Sequence, residues 1–364
     1  MTIRRGICAV ALVLSVAACA PATTGAAEAG TAEPEPAAAT LELVPSPATM
    51  EDLVEIPGRG TILASGFSPS AGGALHAIGI DSRRIQQLWP APDGAPARVA
   101  HDAESFPGCA LPPAAADASP HGLALTSAGE RTRLYAVNHG SREAIEVFDV
   151  DTAGEQPRLT WVGCVELPEG TYGNGVAVDD EARVYVSNFI DPADVQGSFA
   201  RILRGEPIGD VRTWTRDSGW STAAGGTYVG ANGVAVDARG EQLFVAEWGG
   251  RSVRRVDLAT GETTTTAEIP YMPDNLRWGP DGALYTTGQD LTPDQFASCL
   301  TLDVTVCPYE GFEVTRISPN TLELAAVRRY DGTDFGHAAT ALPTAAGGFW
   351  IGNVFGPPQV AFMP

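Results

Sequence analysis

From residue 50 onward, apolar residues alternate with polar ones at a spacing of two, in short runs broken by Gly, Asp and Pro. No stretch of comparable length repeats its apolar positions at a helical spacing, so the pattern predicts hairpins in sheets. One unit of this pattern restarts along the chain. Asn174-Gly-Val-Ala-Val-Asp179 followed by Val184-Tyr-Val-Ser-Asn188 returns as Asn232-Gly-Val-Ala-Val-Asp237 followed by Leu243-Phe-Val-Ala-Glu247. Weaker copies begin at His121-Gly-Leu-Ala-Leu125 and Asn275-Leu-Arg-Trp278, and degenerate ones at Met50-Glu-Asp-Leu-Val-Glu55 and Ala339-Thr-Ala-Leu342. The four clearer copies lie about 43 to 58 residues apart, the length of a four-stranded blade with its loops. Six copies predict an all-β chain folded as a six-bladed β-propeller over residues 42–364. A β-sandwich would not restart one motif six times in the same frame.

In five copies a polar residue stands just before the first apolar one: Glu51-Asp52, His121, Asn174, Asn232 and Asp274-Asn275. The innermost strand of a blade starts at the central channel, so these positions are expected to converge. A single Asn before Gly reads equally well as a turn residue. A set of amides and carboxylates at one phase of a repeat does not. Oxygen donors without thiolates are hard ligands that suit calcium. Glu51, Asn174, Asn232, Asp274 and Asn275 are therefore expected to hold a catalytic calcium, which would polarise a substrate carbonyl. Of five histidines, His76, His101 and His337 read as structural. His121 has the channel-facing phase and an ordinary pKa near 6.5, which suits a general base for water. His139, in the same repeat, is expected to orient it and relay its proton.

Composition and the chain ends add the setting. Arg4 and Arg5, an apolar run from Ile7 to Val16 and small residues up to Cys19 have the layout of a signal peptide over 1–18. Val16-Ala-Ala-Cys19 matches a lipobox, making Cys19 the expected lipidation site and a lipid anchor the expected link to a membrane. Residues 19–41 are rich in Ala, Thr, Glu, Pro and Gly and read as a disordered tether. The expected location is the periplasmic face of an outer membrane or the cell surface. A net charge of −21 argues against nucleic acid as a partner. In an oxidising compartment Cys109, Cys164, Cys299 and Cys307 suggest two disulfides. The short loop between Cys299 and Cys307 favours that pair, leaving Cys109 with Cys164.

Ser119-Pro120-His121-Gly122, Val137-Asn138-His139, Asn174, Asn232-Gly233 and Pro273-Asp274-Asn275, in this order, resemble the paraoxonase and arylesterase family, related to gluconolactonase and strictosidine synthase-like propellers. The resemblance spans residue 42 to the end of the sequence. It implies a six-bladed propeller with two calcium ions in its tunnel and hydrolysis of lactones and aryl esters. It also implies a histidine dyad at His121 and His139, and catalytic calcium ligands at the five positions above. For a second calcium, Asp52 and the carbonyl of Leu123 match, but Gly175 stands where an aspartate is expected. The family's end-to-end disulfide has no counterpart, so ring closure is expected from pairing of the first and last strands. Two other readings stay open, a sugar lactonase of gluconolactonase type and a non-catalytic surface propeller stabilised by calcium.

Overall fold

The computed structural model describes residues 36, 38–67, 72–92, 96–129, 131–154, 156–299 and 311–364. Their strands form six antiparallel sheets of four strands each. Five sheets use consecutive strands and begin with inner strands Met50–Ile56, Pro120–Ala128, Gly173–Val178, Ala231–Val236 and Met272–Trp278, here blades 1 to 5. Blade 6 begins with His337–Pro343, continues through Phe349–Phe355 and Gln359–Met363, and is completed by Glu42–Pro45. Glu42 lies opposite Phe362 and Pro45 opposite Gln359. The inner strands touch one another in ring order, blade 6 against blade 1 closing the circle. The predicted six-bladed propeller and its strand-paired closure are both present.

Each sheet buries apolar side chains on both faces against its neighbours. Leu63 and Leu75 of blade 1, for example, pack with Leu134, Phe148 and Trp161 of blade 2. At about 1.5–3 kcal/mol for each fully buried large apolar side chain, these interfaces hold the blades together.

The inner strands share a local irregularity that decides the chemistry of the channel. Register breaks between Met50 and Asp52, Pro120 and Leu123, Gly173 and Val176, Ala231 and Val234, and Pro273 and Leu276. The residues inside these bulges are Glu51, His121-Gly122, Asn174-Gly175, Asn232-Gly233 and Asp274-Asn275. A bulge bends the strand and re-aims a side chain, here at the same height in five blades. The Asn-Gly pairs are thus strand residues, not turns. A Cβ at Gly122, Gly175 or Gly233 would collide with the carbonyl oxygen of Asn174, Asn232 or Asp274 on the following blade. Glycine is what lets adjacent inner strands approach closely enough to bring the heads together.

Two details depart from expectation, and one cysteine pairing is as expected. The chain joins the propeller before residue 42, since Ala38 bridges Arg329 and the Ala39 amide donates to the Arg329 carbonyl at 2.8 Å on blade 5's outer strand. Two short helices, α1 (Val195–Ile202) and α2 (Pro293–Cys299), occupy segments in which no element was legible. Asp194 caps α1 by accepting from the Gly197 amide at 3.0 Å. The Cys109–Cys164 disulfide is present, tying a connecting loop to the outer strand of blade 2. Cys299 is disulfide-bonded as well, while Cys307, like Cys19 and the leader, lies outside the described residues.

Candidate metal and catalytic site

The five bulges deliver their side chains to one end of the channel. Glu51, Asn174, Asn232, Asp274 and Asn275 are 1–5% exposed. Asn275 Nδ2 donates to Glu51 Oε1 at 2.6 Å, and the Asn232 side chain hydrogen-bonds Asp274. Glu51 Oε2, Asn174 Oδ1 and Asn232 Oδ1 are buried and have no hydrogen-bond partner among the described residues. An orphaned buried acceptor costs about 1–3 kcal/mol, and three on residues from three blades that line one cavity fit a bound cation. Among the described residues no cluster of three or more His, Cys, Asp or Glu suits a metal; here amide oxygens supply much of the donor set. A mixed carboxylate and amide set fits calcium rather than zinc.

Electrostatics agree with a site built for positive charge. Burial, with Asp52 and Asp274 close by, raises the Glu51 pKa well above the usual carboxylate range. Asp274 is pushed up to about 7, mainly by burial and further by Asp52. Its position is fixed by Gln289, whose Nε2 donates to Asp274 Oδ2 at 2.8 Å and to the Ala338 carbonyl at 2.7 Å. Gln289 Oε1 in turn accepts from Trp248 Nε1 at 2.8 Å. This support was not legible from the repeats.

The rings of the two histidines lie in hydrogen-bonding contact, a meeting the sequence alone did not show. His121 Nδ1 lies 2.9 Å from His139 Nε2, and His121 Nε2 lies 3.6 Å from Glu51 Oε1. A third member was missed: Glu143, whose oxygens lie 2.9 and 3.0 Å from His139 Nδ1. A carboxylate accepts only, so His139 Nδ1 carries a proton, and in the neutral ring Nε2 is then the acceptor. His121 Nδ1 then donates, leaving His121 Nε2 as a lone pair beside the oxygen ring. Burial, and the neighbouring His139, hold the His121 pKa well below 6.5, so the ring is neutral. Phe67 stacks on His121 at 4.4 Å and Tyr172 on His139 at 4.2 Å, locking both rings.

Above the ring lies a cavity of about 210 Å³. Its wall is apolar, with Phe67, Tyr172, Phe189 and Trp248 joined by Val195 and Phe199 of α1 and Phe296 of α2. Tyr172, Phe189 and Trp248, which flank the ring residues in sequence, line the mouth. Tyr228, four residues before Asn232, packs inside a blade interface under the Arg254 guanidinium.

Asp52 and Leu123 also meet, one step deeper in the channel. Asp52 Oδ2 accepts from the Leu123 amide at 2.7 Å and from Arg277 Nη2. Asp52 Oδ1 accepts from the Leu53 amide at 2.8 Å and from Thr340 Oγ1 at 3.0 Å. Arg277 also donates to the carbonyls of Leu123 at 3.1 Å and Leu53 at 2.8 Å. The residues expected to frame a second calcium frame a guanidinium, and they do not fit a further ion. The missing aspartate at 175 has a physical reason, because any side chain there would strike the backbone of Asn232 and Gly233.

No family model and no curated protein sequence matches the chain. Solved structures do. A candidate gluconolactonase aligns at 16% identity and TM-score 0.53, over 90% of this chain and 92% of its own. A luciferin-regenerating enzyme aligns at 11% and 0.54, over 89% and 95%. Virginiamycin B lyase from Staphylococcus aureus aligns at 12% and 0.50, over 89% and 98%. At such identities the likeness establishes the fold alone, and this chain is a six-bladed β-propeller whose repeat heads meet in one buried, oxygen-lined ring.

Proposed function

We propose that the protein is a calcium-dependent hydrolase of apolar lactones and aryl esters. The observation that carries this reading is the hydrogen-bonded chain Glu143–His139–His121, whose terminal lone pair opens beside three orphaned oxygens beneath an apolar cavity. Glu51, Asn174, Asn232, Asp274 and Asn275 would hold the ion. When bound, it supplies positive charge that polarises a carbonyl oxygen and stabilises the charge building there.

His121 Nε2 accepts a proton from water as the water oxygen bonds to the carbonyl carbon. His121 passes its Nδ1 proton to His139 Nε2, and the resulting imidazolium faces the Glu143 carboxylate. As the tetrahedral adduct collapses, the proton returns through His121 to the departing oxygen, so the site is regenerated with acid and alcohol formed. The apolar wall excludes bulk water and receives the acyl or aryl part of the substrate. It offers few partners for sugar hydroxyls, which favours lipophilic lactones over the sugar lactones suggested by the name of one structural neighbour. A binding propeller would have no need of the histidine chain.

The test is hydrolysis of γ- and δ-lactones of increasing alkyl length and of phenyl acetate by the purified chain, with calcium, with chelator, and after calcium is restored. Turnover that disappears and returns, and rises with alkyl length, is the expected result. A folded, calcium-loaded sample without turnover on any of them would overturn the reading.

A further inference from the structure

We propose that the guanidinium of Arg277 is the resident cation of the mid-channel, taking the place of a second metal, so that the fold does not depend on calcium. Arg277 stands on the inner strand of blade 5 and its side chain is 11% exposed. Its donors reach the Asp52 carboxylate and the Leu53 carbonyl on blade 1 and the Leu123 carbonyl on blade 2. Thr340 of blade 6 donates to the same carboxylate. Four blades are thereby joined at one buried charge pair.

A divalent ion at this point would need carboxylates with free oxygens. Asp52 has none, since both oxygens accept two hydrogen bonds each. A second carboxylate cannot be added at Gly175 without backbone collision. Leu123's carbonyl already accepts from Arg277. A planar guanidinium with five fixed donors suits this set of separated acceptors, and being covalently part of the chain it cannot be chelated or exchanged.

The inference concerns a different point of the channel from the proposed active site, so the two fail separately. Calcium bound to the purified chain is counted by equilibrium dialysis, for wild type and for Asp274→Asn, and thermal unfolding of both is followed with and without chelator. At free calcium just sufficient to saturate wild type, one equivalent in wild type, none in Asp274→Asn, and a Tm of Asp274→Asn that ignores chelator are expected. Zero equivalents in wild type would sink the calcium site at the mouth and still support the resident cation. An equivalent that survives Asp274→Asn, or a chelator-sensitive Tm in that variant, would overturn the proposal. Arg277→Ala leaves Asp52 buried without its partner and should lower Tm by ~5–10 °C in chelator. A folded Arg277→Ala protein with the wild-type Tm would also overturn it. Should that variant not fold, Arg277→Lys, which keeps the charge and loses the fork, should unfold measurably below wild type.

Discussion

Glu51 and Asp52 are neighbours in sequence, both essentially inaccessible to solvent, yet they sit in opposite electrostatic situations. Around Glu51 the ring keeps three oxygens without partners. Around Asp52 each oxygen has two donors, one of them a guanidinium. Orphaned acceptors are therefore not a general looseness of this channel. They occur where a cation can arrive from the cavity, and they vanish where the chain supplies its own. Buried carboxylates in one propeller channel should be read by the partners they already hold, not by their number.

The sharpest way to test this contrast is to separate chemistry from ion binding at the mouth. His121→Gln should lower kcat by ~10³-fold while leaving calcium affinity within a few-fold; a parallel loss of affinity, measured by titration calorimetry, would break the division of roles. Asp274→Asn should reverse the pattern, weakening calcium ~10²-fold or more, with activity partly recovered at high calcium.

Glu143→Gln keeps the shape but no longer forces the His139 tautomer. A loss of ~10–100-fold in kcat, with KM unchanged and a shifted pH profile, is expected. An unchanged kcat would remove Glu143 from the relay.

Acidity should act through the carboxylates. With the Asp274 pKa raised to about 7, the calcium-free fold holds a proton that the unfolded chain releases at lower pH. Asp274's contribution to stability is therefore fully present below the unfolded carboxylate's pKa and is lost as pH rises through about 7, the sign for a carboxylate whose folded pKa is raised. Calcium must displace that proton, and any held by Glu51, so its Kd should rise at least about tenfold per pH unit below 7. Calorimetric titrations at pH 6 and 8 with equal Kd would contradict this. The smallest change is expected from Gln289→Leu, which removes the donors holding Asp274 and should weaken calcium by ~10-fold.

The repeat phase made five blade heads legible because each is the same structural position, a bulge, copied along the chain. The supporting residues follow no repeat. Glu143 reaches His139 across a tight connection between two strands of blade 2, a contact that three intervening positions do not announce. Arg277 reads in sequence as one polar residue of the Asn275-Leu-Arg-Trp278 strand, and only the ring closure places it against blades 1 and 2. The helices α1 and α2 are about two turns each, too short for a periodicity to emerge, and their apolar residues are divided between the cavity wall and a small core cluster with Phe189, Trp248 and Met272.

The pairing of Glu42–Pro45 with Gln359–Met363 has a consequence for biosynthesis. The two partners are separated by nearly the whole propeller, so the first strand to be made waits for the last. Until residues 359–363 exist, the growing chain is an open arc, its terminal blades presenting unpaired edges that invite pairing with other chains. The closing contact is also among the most non-local in the molecule, which places it late and makes it slow. A shortened chain lacking those five residues would be expected to accumulate as aggregate even though every residue of the oxygen ring is still encoded.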